Sequence, residues 1–159
     1  MLPDFTQLQI LTERHLQLLH EAIAELAGSR PALTSMDLDG IYSHIARQTF
    51  LCQRLDEIRR ERAAVSHTIS QALPSSSGPP DLVSRIRAFD QSAAERLEDL
   101  HHGIAVAERE LRHQNRVHAL LIDGTRRTLA ILANALATIS PTYSFPPPSS
   151  TASAERVRP

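Results

Sequence analysis

The chain contains no tryptophan, no lysine and a single cysteine, and aromatic residues make up only 4% of its 159 positions. Few aromatics argue against the thick core of a globular enzyme, since thin helical cores fill with Leu, Ile and Ala instead. The material for a helical core is present, at 42% hydrophobic residues. One cysteine, Cys52, excludes an intramolecular disulfide and any cysteine-based metal site within one chain. It falls on an apolar stripe with no base nearby, which predicts a small buried hydrophobe rather than a nucleophile. The formal charge of -1 gives no overall pull toward nucleic acid or an anionic membrane. Without lysine, all 17 basic residues are arginine, whose fork pairs readily with carboxylates along a helix face. There is no Gly-rich phosphate loop, no Gly-x-Ser-x-Gly and no His-Glu-x-x-His. Neither an enzyme nor a cofactor is expected.

Membrane and export signals are also lacking. Met1-Leu2-Pro3-Asp4 has no basic region and no apolar core, so no secretory signal is expected. The longest apolar run, near 129–139, falls short of the roughly 20 residues that cross a bilayer. A cytoplasmic protein without stable membrane insertion is the expectation.

What is present is helical periodicity between proline-rich breaks. A first helix is predicted over 4–27, with Leu8, Leu11, Leu16, Leu19, Ile23 and Leu26 on a wide face. Asp4 or Thr6 can cap it, and Gly28 suits a left-handed stop. Thr34, with Asp37 three residues on, reads as the next helix start. The second helix is predicted over 36–73, with Leu38, Ile41, Ile45, Cys52, Leu55, Ile58, Val65, Ile69 and Leu73 on its stripe. Its outer face offers Arg and acidic pairs three or four apart, and Gly40 weakens its first turns. Pro74 through Pro80 then makes the clearest break.

From Asp81 to Ser140 no proline interrupts a third helix, whose stripe includes Ile86, Phe89, Ala93, Leu100, Ile104, Ala107 and Leu111. About sixty residues at 1.5 Å each would reach roughly 90 Å, with Gly103 or Gly124 as the places for a kink. Residues 141–159 are rich in Pro and Ser and read as a disordered tail. The fold expected is therefore all-α: an elongated, antiparallel, coiled-coil-like bundle of three long helices in a 1–140 domain, the third helix longest.

Glu98/His101 and Glu110/His113 match the Glu-x-x-His pairs of di-iron bundles, but both lie on one helix, too far apart for one site. No metal centre is expected. Residues 109–127 carry a local charge excess of +3 and 90–99 one of -3. Such a dipolar helix favours self-association or antiparallel folding over nucleic-acid binding.

The most informative stretch begins at Leu111. Asn115 and His118 share a face with Leu121 and Thr125, and a polar residue on an apolar seam can set register or partner. Beyond it, Leu129, Leu132, Leu136 and Ile139 restore a clean apolar face. That face suits either an amphipathic partner helix or the chain's own core.

Two segments carry a family likeness. One is 48–62, with Leu51, Leu55 and Ile58 closing on Arg62. The other is 111–139, with Asn115, the Leu121-Ile122 pair and Thr128-Leu129-Ala130-Ile131-Leu132, followed by Tyr143. Here the chain resembles the FlgN-type flagellar export chaperones. It departs from that family at Gln48, where Lys is common, at His118, where a second Asn stands, and after Tyr143, where Phe145 and prolines replace a Gly. The resemblance implies a cytosolic, all-helical chaperone of flagellar type III export. Such a chaperone binds the C-terminal helical segment of hook-associated (hook–filament junction) proteins and hands them to the flagellar export apparatus. The face expected to hold such a client is Asn115, His118, Leu121, Ile122, Thr125, Leu129, Leu132 and Leu136, and the resemblance implies export-gate contact for Tyr143. Two other readings stay open: a structural coiled-coil module that forms a homodimer, and a peripheral membrane helix at 129–139.

Overall fold

The computed structural model describes residues 5–74 and 81–139. The described residues are helical and contain no strand: α1 (Thr6–Gly28), α2 (Arg30–Ser35), α3 (Leu38–Ala72), α4 (Leu82–Arg87) and α5 (Gln91–Ile139). The expectation of long helices packed together holds. The chain divides into two units, Met1–Thr125 and Arg126–Pro159, and the boundary falls within α5. The 141–159 segment, with Tyr143, lies outside the described residues.

The first unit holds two apolar clusters. In one, Phe5 and Leu8 meet Ile69 and Leu73 of the α3 end, Val83 and Ile86 of α4, and Ala93, Ala94 and Leu97 of α5. In the other, Leu11, Leu18 and Leu19 of α1 pack with Leu51, Leu55 and Ile58 of α3 and with Ile104 and Ala107 of α5. Each fully buried Leu or Ile contributes about 1.5–3 kcal/mol through loss of apolar surface from water. Small residues let α5 come close to α1: a Cβ added at Gly103 would stand 3.1 Å from Leu16 Cδ2. Gly103 is thus a close-approach position inside α5 and not a break.

Several local expectations give way. Gly28 does not stop α1 in a left-handed turn, as no glycine among the described residues has positive φ. Ser29 stays near-helical and its N–H bonds the Glu25 carbonyl at 3.0 Å, so the chain passes directly into α2, with Pro31 in its first turn. The left-handed residue is Met36, φ 53°, at the end of α2. Thr34 is not a cap, because its hydroxyl bonds back to the Arg30 and Pro31 carbonyls. Asp37 caps α3 and accepts from the Gly40 N–H at 3.2 Å. A Cβ on Gly40 would collide with the Asp37 carboxylate, so this glycine makes the cap instead of weakening the helix.

The predicted third helix is two. α4 ends at Arg87, and the chain turns through Ala88 and Phe89 before Asp90 restarts it by accepting from the Ala93 N–H at 2.9 Å. Phe89, expected in the core, is exposed. Arg85 ties α4 to the α3 end, donating to Ser70 Oγ and the Ser70 carbonyl, both at 2.8 Å, and to the Leu73 carbonyl at 2.6 Å. A cation on orphan carbonyls at a helix C-terminus is favoured by both hydrogen bonding and the helix dipole. The expected surface pairs on α3 form at Arg54–Glu57, 2.6 Å, and Arg59–Asp56, 3.9 Å. Exposed pairs of this kind contribute at most about 1 kcal/mol each.

Candidate functional site

The α3 stripe divides into two faces. Leu51 stands roughly 220° around the helix from Leu38 at 3.6 residues per turn. Leu51, Leu55 and Ile58 turn into the core, while Leu38, Tyr42 and Ile45 are left 66%, 70% and 52% exposed. Cys52 is exposed as well, and not the buried hydrophobe its stripe position suggested. Leu51, which fills the core in its place, was missed because a single stripe was drawn through both faces.

The exposed first turns of α3 border an apolar cavity of about 200 Å³. Leu33 of α2, Ile41 and Ile45 of α3 and Ile122 of α5 supply its apolar lining, and Ser29, His44, Gln48 and His118 its polar edges. A neighbouring cavity of about 80 Å³ is lined by Leu26, Leu51, Cys52, Leu111 and Asn115, among others, and Gln48 borders both. Neither lining includes an Asp, Glu or Arg. Such a surface suits apolar side chains with a few neutral hydrogen-bonding groups at the edge.

The polar edge is held within the chain. Ser29 Oγ lies 3.3 Å from His118 Nδ1. Arg30 donates to the Gln114 side-chain oxygen, and Gln114 donates in turn to Glu110. His44 pairs with Glu25. Burial, helped by Arg30 and then His44, pushes the His118 imidazole below its ordinary pKa, so it favours the neutral form.

The residues of the predicted client face are distributed unevenly. His118 and Ile122 line the larger cavity and Asn115 the smaller. Leu121 and Thr125 are partly buried, and the Thr125 hydroxyl donates to the Leu121 carbonyl at 2.9 Å. In the second unit Leu129, Leu132 and Leu136 are exposed, Leu136 by 66%, and Ile131 is exposed too. Tyr143 lies outside the described residues. Leu38, Tyr42 and Ile45 were not foreseen as partner-facing. Their signal was present in the spacing, since they cannot share a face with Leu51 and Leu55.

No group of three or more His, Cys, Asp or Glu among the described residues could hold a metal ion. Of the two Glu-x-x-His pairs, Glu98 is bound to Arg87 and His101 faces Arg62, while Glu110 accepts from Gln114. No described helix is long and apolar enough to cross a membrane. Comparison of the chain with protein-family models, with curated proteins and with solved structures gave no match.

Proposed function

We propose that the protein is a chaperone of flagellar type III export that receives an amphipathic helix from the C-terminal segment of a hook–filament junction protein. The observation that carries this reading is the apolar cavity lined by Ile41 and Ile45 of α3 and Ile122 of α5, with Leu38 and Tyr42 exposed on the first turns of the same helix. Apolar side chains at i, i+4 and i+7 on a client helix would fill such a depression and cover its rim, as helix-in-groove recognition requires. Exposed Leu129, Leu132 and Leu136 offer a second apolar face with the same helical spacing. Asn115 and His118 would hydrogen-bond polar groups of the client and fix its register. On this reading the first unit is an antiparallel, coiled-coil-like packing of three long segments, the protein acts in the cytoplasm without catalysis, and Tyr143 meets the export apparatus.

Each surface is tested by itself. Ile45→Asp should weaken capture of a junction-protein C-terminal segment about tenfold or more, since it sets a charge where an apolar side chain would be covered. Leu129→Asp with Leu132→Asp should do the same for the second unit. If both variants keep wild-type helicity and wild-type binding, the reading is lost.

One observation favours a second reading. Leu129, Leu132 and Leu136 lie on heptad-like steps and are exposed together, which also suits a homodimeric coiled coil without a client. Sedimentation of the full chain separates the two: a dimer disrupted by Leu132→Asp supports the second reading.

A further inference from the structure

Apart from the groove, the first unit contains a polar layer that its apolar neighbours do not explain. His15 of α1 is only 2% exposed, amid Leu11, Leu18 and Leu19. Arg62 of α3, one turn past Ile58, donates from Nη1 to His15 Nδ1. Its Nη2 lies 3.4 Å from His101 Nε2 of α5, one turn before Ile104. A single guanidinium thus reaches imidazoles on two other helices. Arginine only donates, so each imidazole nitrogen facing it must present a lone pair. This requires His15 to be neutral with its proton on Nε2, and that buried nitrogen has no hydrogen-bond partner. A protonated His15 could no longer accept from Arg62 and would place a second positive charge beside it.

We propose that Arg62 and the two imidazoles form a proton-sensitive clasp across α1, α3 and α5, closed while His15 is neutral and released when His15 takes up a proton. The charged groups acting on His15 are Arg62 and Arg59 from α3 and Glu108 from α5, and His101 of α5 is joined to it through Arg62. Glu108 alone favours the protonated ring, and with it release, and it is shared with Arg59 at 3.5 Å and Arg112 at 3.9 Å. Burial first, then Arg62 and Arg59, hold the His15 pKa down to about 4. His101 is lowered by the same causes, burial and then Arg62. The sign follows from linkage: a histidine depressed in the folded state adds stability above its ordinary pKa of about 6.5, and that stability is lost as pH falls toward 4. This device is independent of the client reading and stands or falls without it.

The test is urea unfolding of the full chain at pH 7 and pH 4, for the wild type, His15→Gln and the exposed-residue control His20→Gln. A displacement from about 6.5 to about 4 raises the unfolding constant on the order of 100-fold over this range. His15→Gln should lose that part of the pH dependence, and His20→Gln should keep it. Equal pH dependence in His15→Gln and the wild type overturns the proposal. Should His15→Gln fail to fold, imidazole NMR of the wild type decides. A His15 ring that stays neutral down to about pH 4, with amide exchange around it rising as it protonates, supports the clasp. A ring that titrates near 6.5, or one that protonates without any rise in exchange, contradicts it.

Discussion

Met36 and Arg85 show how single residues set the joints of this fold. Met36 closes α2 in the left-handed region at φ 53°, a conformation that costs an L-residue about 1–2 kcal/mol and glycine almost nothing. Glycine loses part of this advantage through the greater freedom of its unfolded chain. Met36→Gly should therefore raise stability by about 0.5 kcal/mol, read as a higher midpoint in urea with an unchanged slope. Arg85 serves the α3 end, where its guanidinium takes the Ser70 and Leu73 carbonyls. Arg85→Ala should cost about 2 kcal/mol, because charge-assisted bonds to helix-end carbonyls are lost together. A thermal midpoint unchanged by this substitution would mean that water serves those carbonyls equally well. Neither role was legible in the sequence. A left-handed methionine has no composition cue, and Arg85 stands a loop away from the carbonyls it binds.

At the scale of elements, the periodic pattern placed the long helices well and their joints poorly. α3 was expected over 36–73 and occupies Leu38–Ala72, because proline at one end and Asp37 at the other bound it. The break at Ala88–Asp90 escaped notice because no Gly or Pro marks it. The signal was Asp90 three residues before Ala93, an N-cap spacing hidden within a continuous apolar stripe. Asp90→Ala should cost about 1 kcal/mol by removing that cap. Gly124→Ala should do the opposite. A Cβ there meets nothing within 4 Å, so the helix propensity gained is about 1 kcal/mol. Both effects are measurable by urea unfolding, and a destabilising Gly124→Ala would show that an unseen neighbour needs the space. The groove belongs to the same lesson. Leu38 and Ile45 read as core residues until the 3.6-residue turn is followed on to Leu51, which shows that one stripe cannot serve both.

For the whole molecule, the account rests on a contrast inside the first unit. Two apolar clusters are closed by α1, α3, α4 and α5, whereas the cavity between α3 and α5 near His118 and Ile122 is left open. His118 belongs to this contrast. Burial and Arg30 favour its neutral form, so the ring takes up a proton only below the ordinary imidazole pKa of about 6.5 and then sets a charge at the edge of the apolar cavity. His118→Gln should flatten any loss of client binding that sets in below about pH 6.5. The all-helical class was readable from spacing alone. That α3 carries two apolar faces could also be read from spacing; which of them stays exposed could not, because that is a packing outcome beyond local pattern. The most direct measurement is calorimetric titration of the full chain with the C-terminal helical segment of a hook–filament junction protein, alongside Ile45→Asp and Ile122→Asp. A 1:1 complex at micromolar affinity or tighter is expected, weakened about tenfold or more by either substitution. No heat of binding at micromolar concentration, or a complex indifferent to both substitutions, would contradict it.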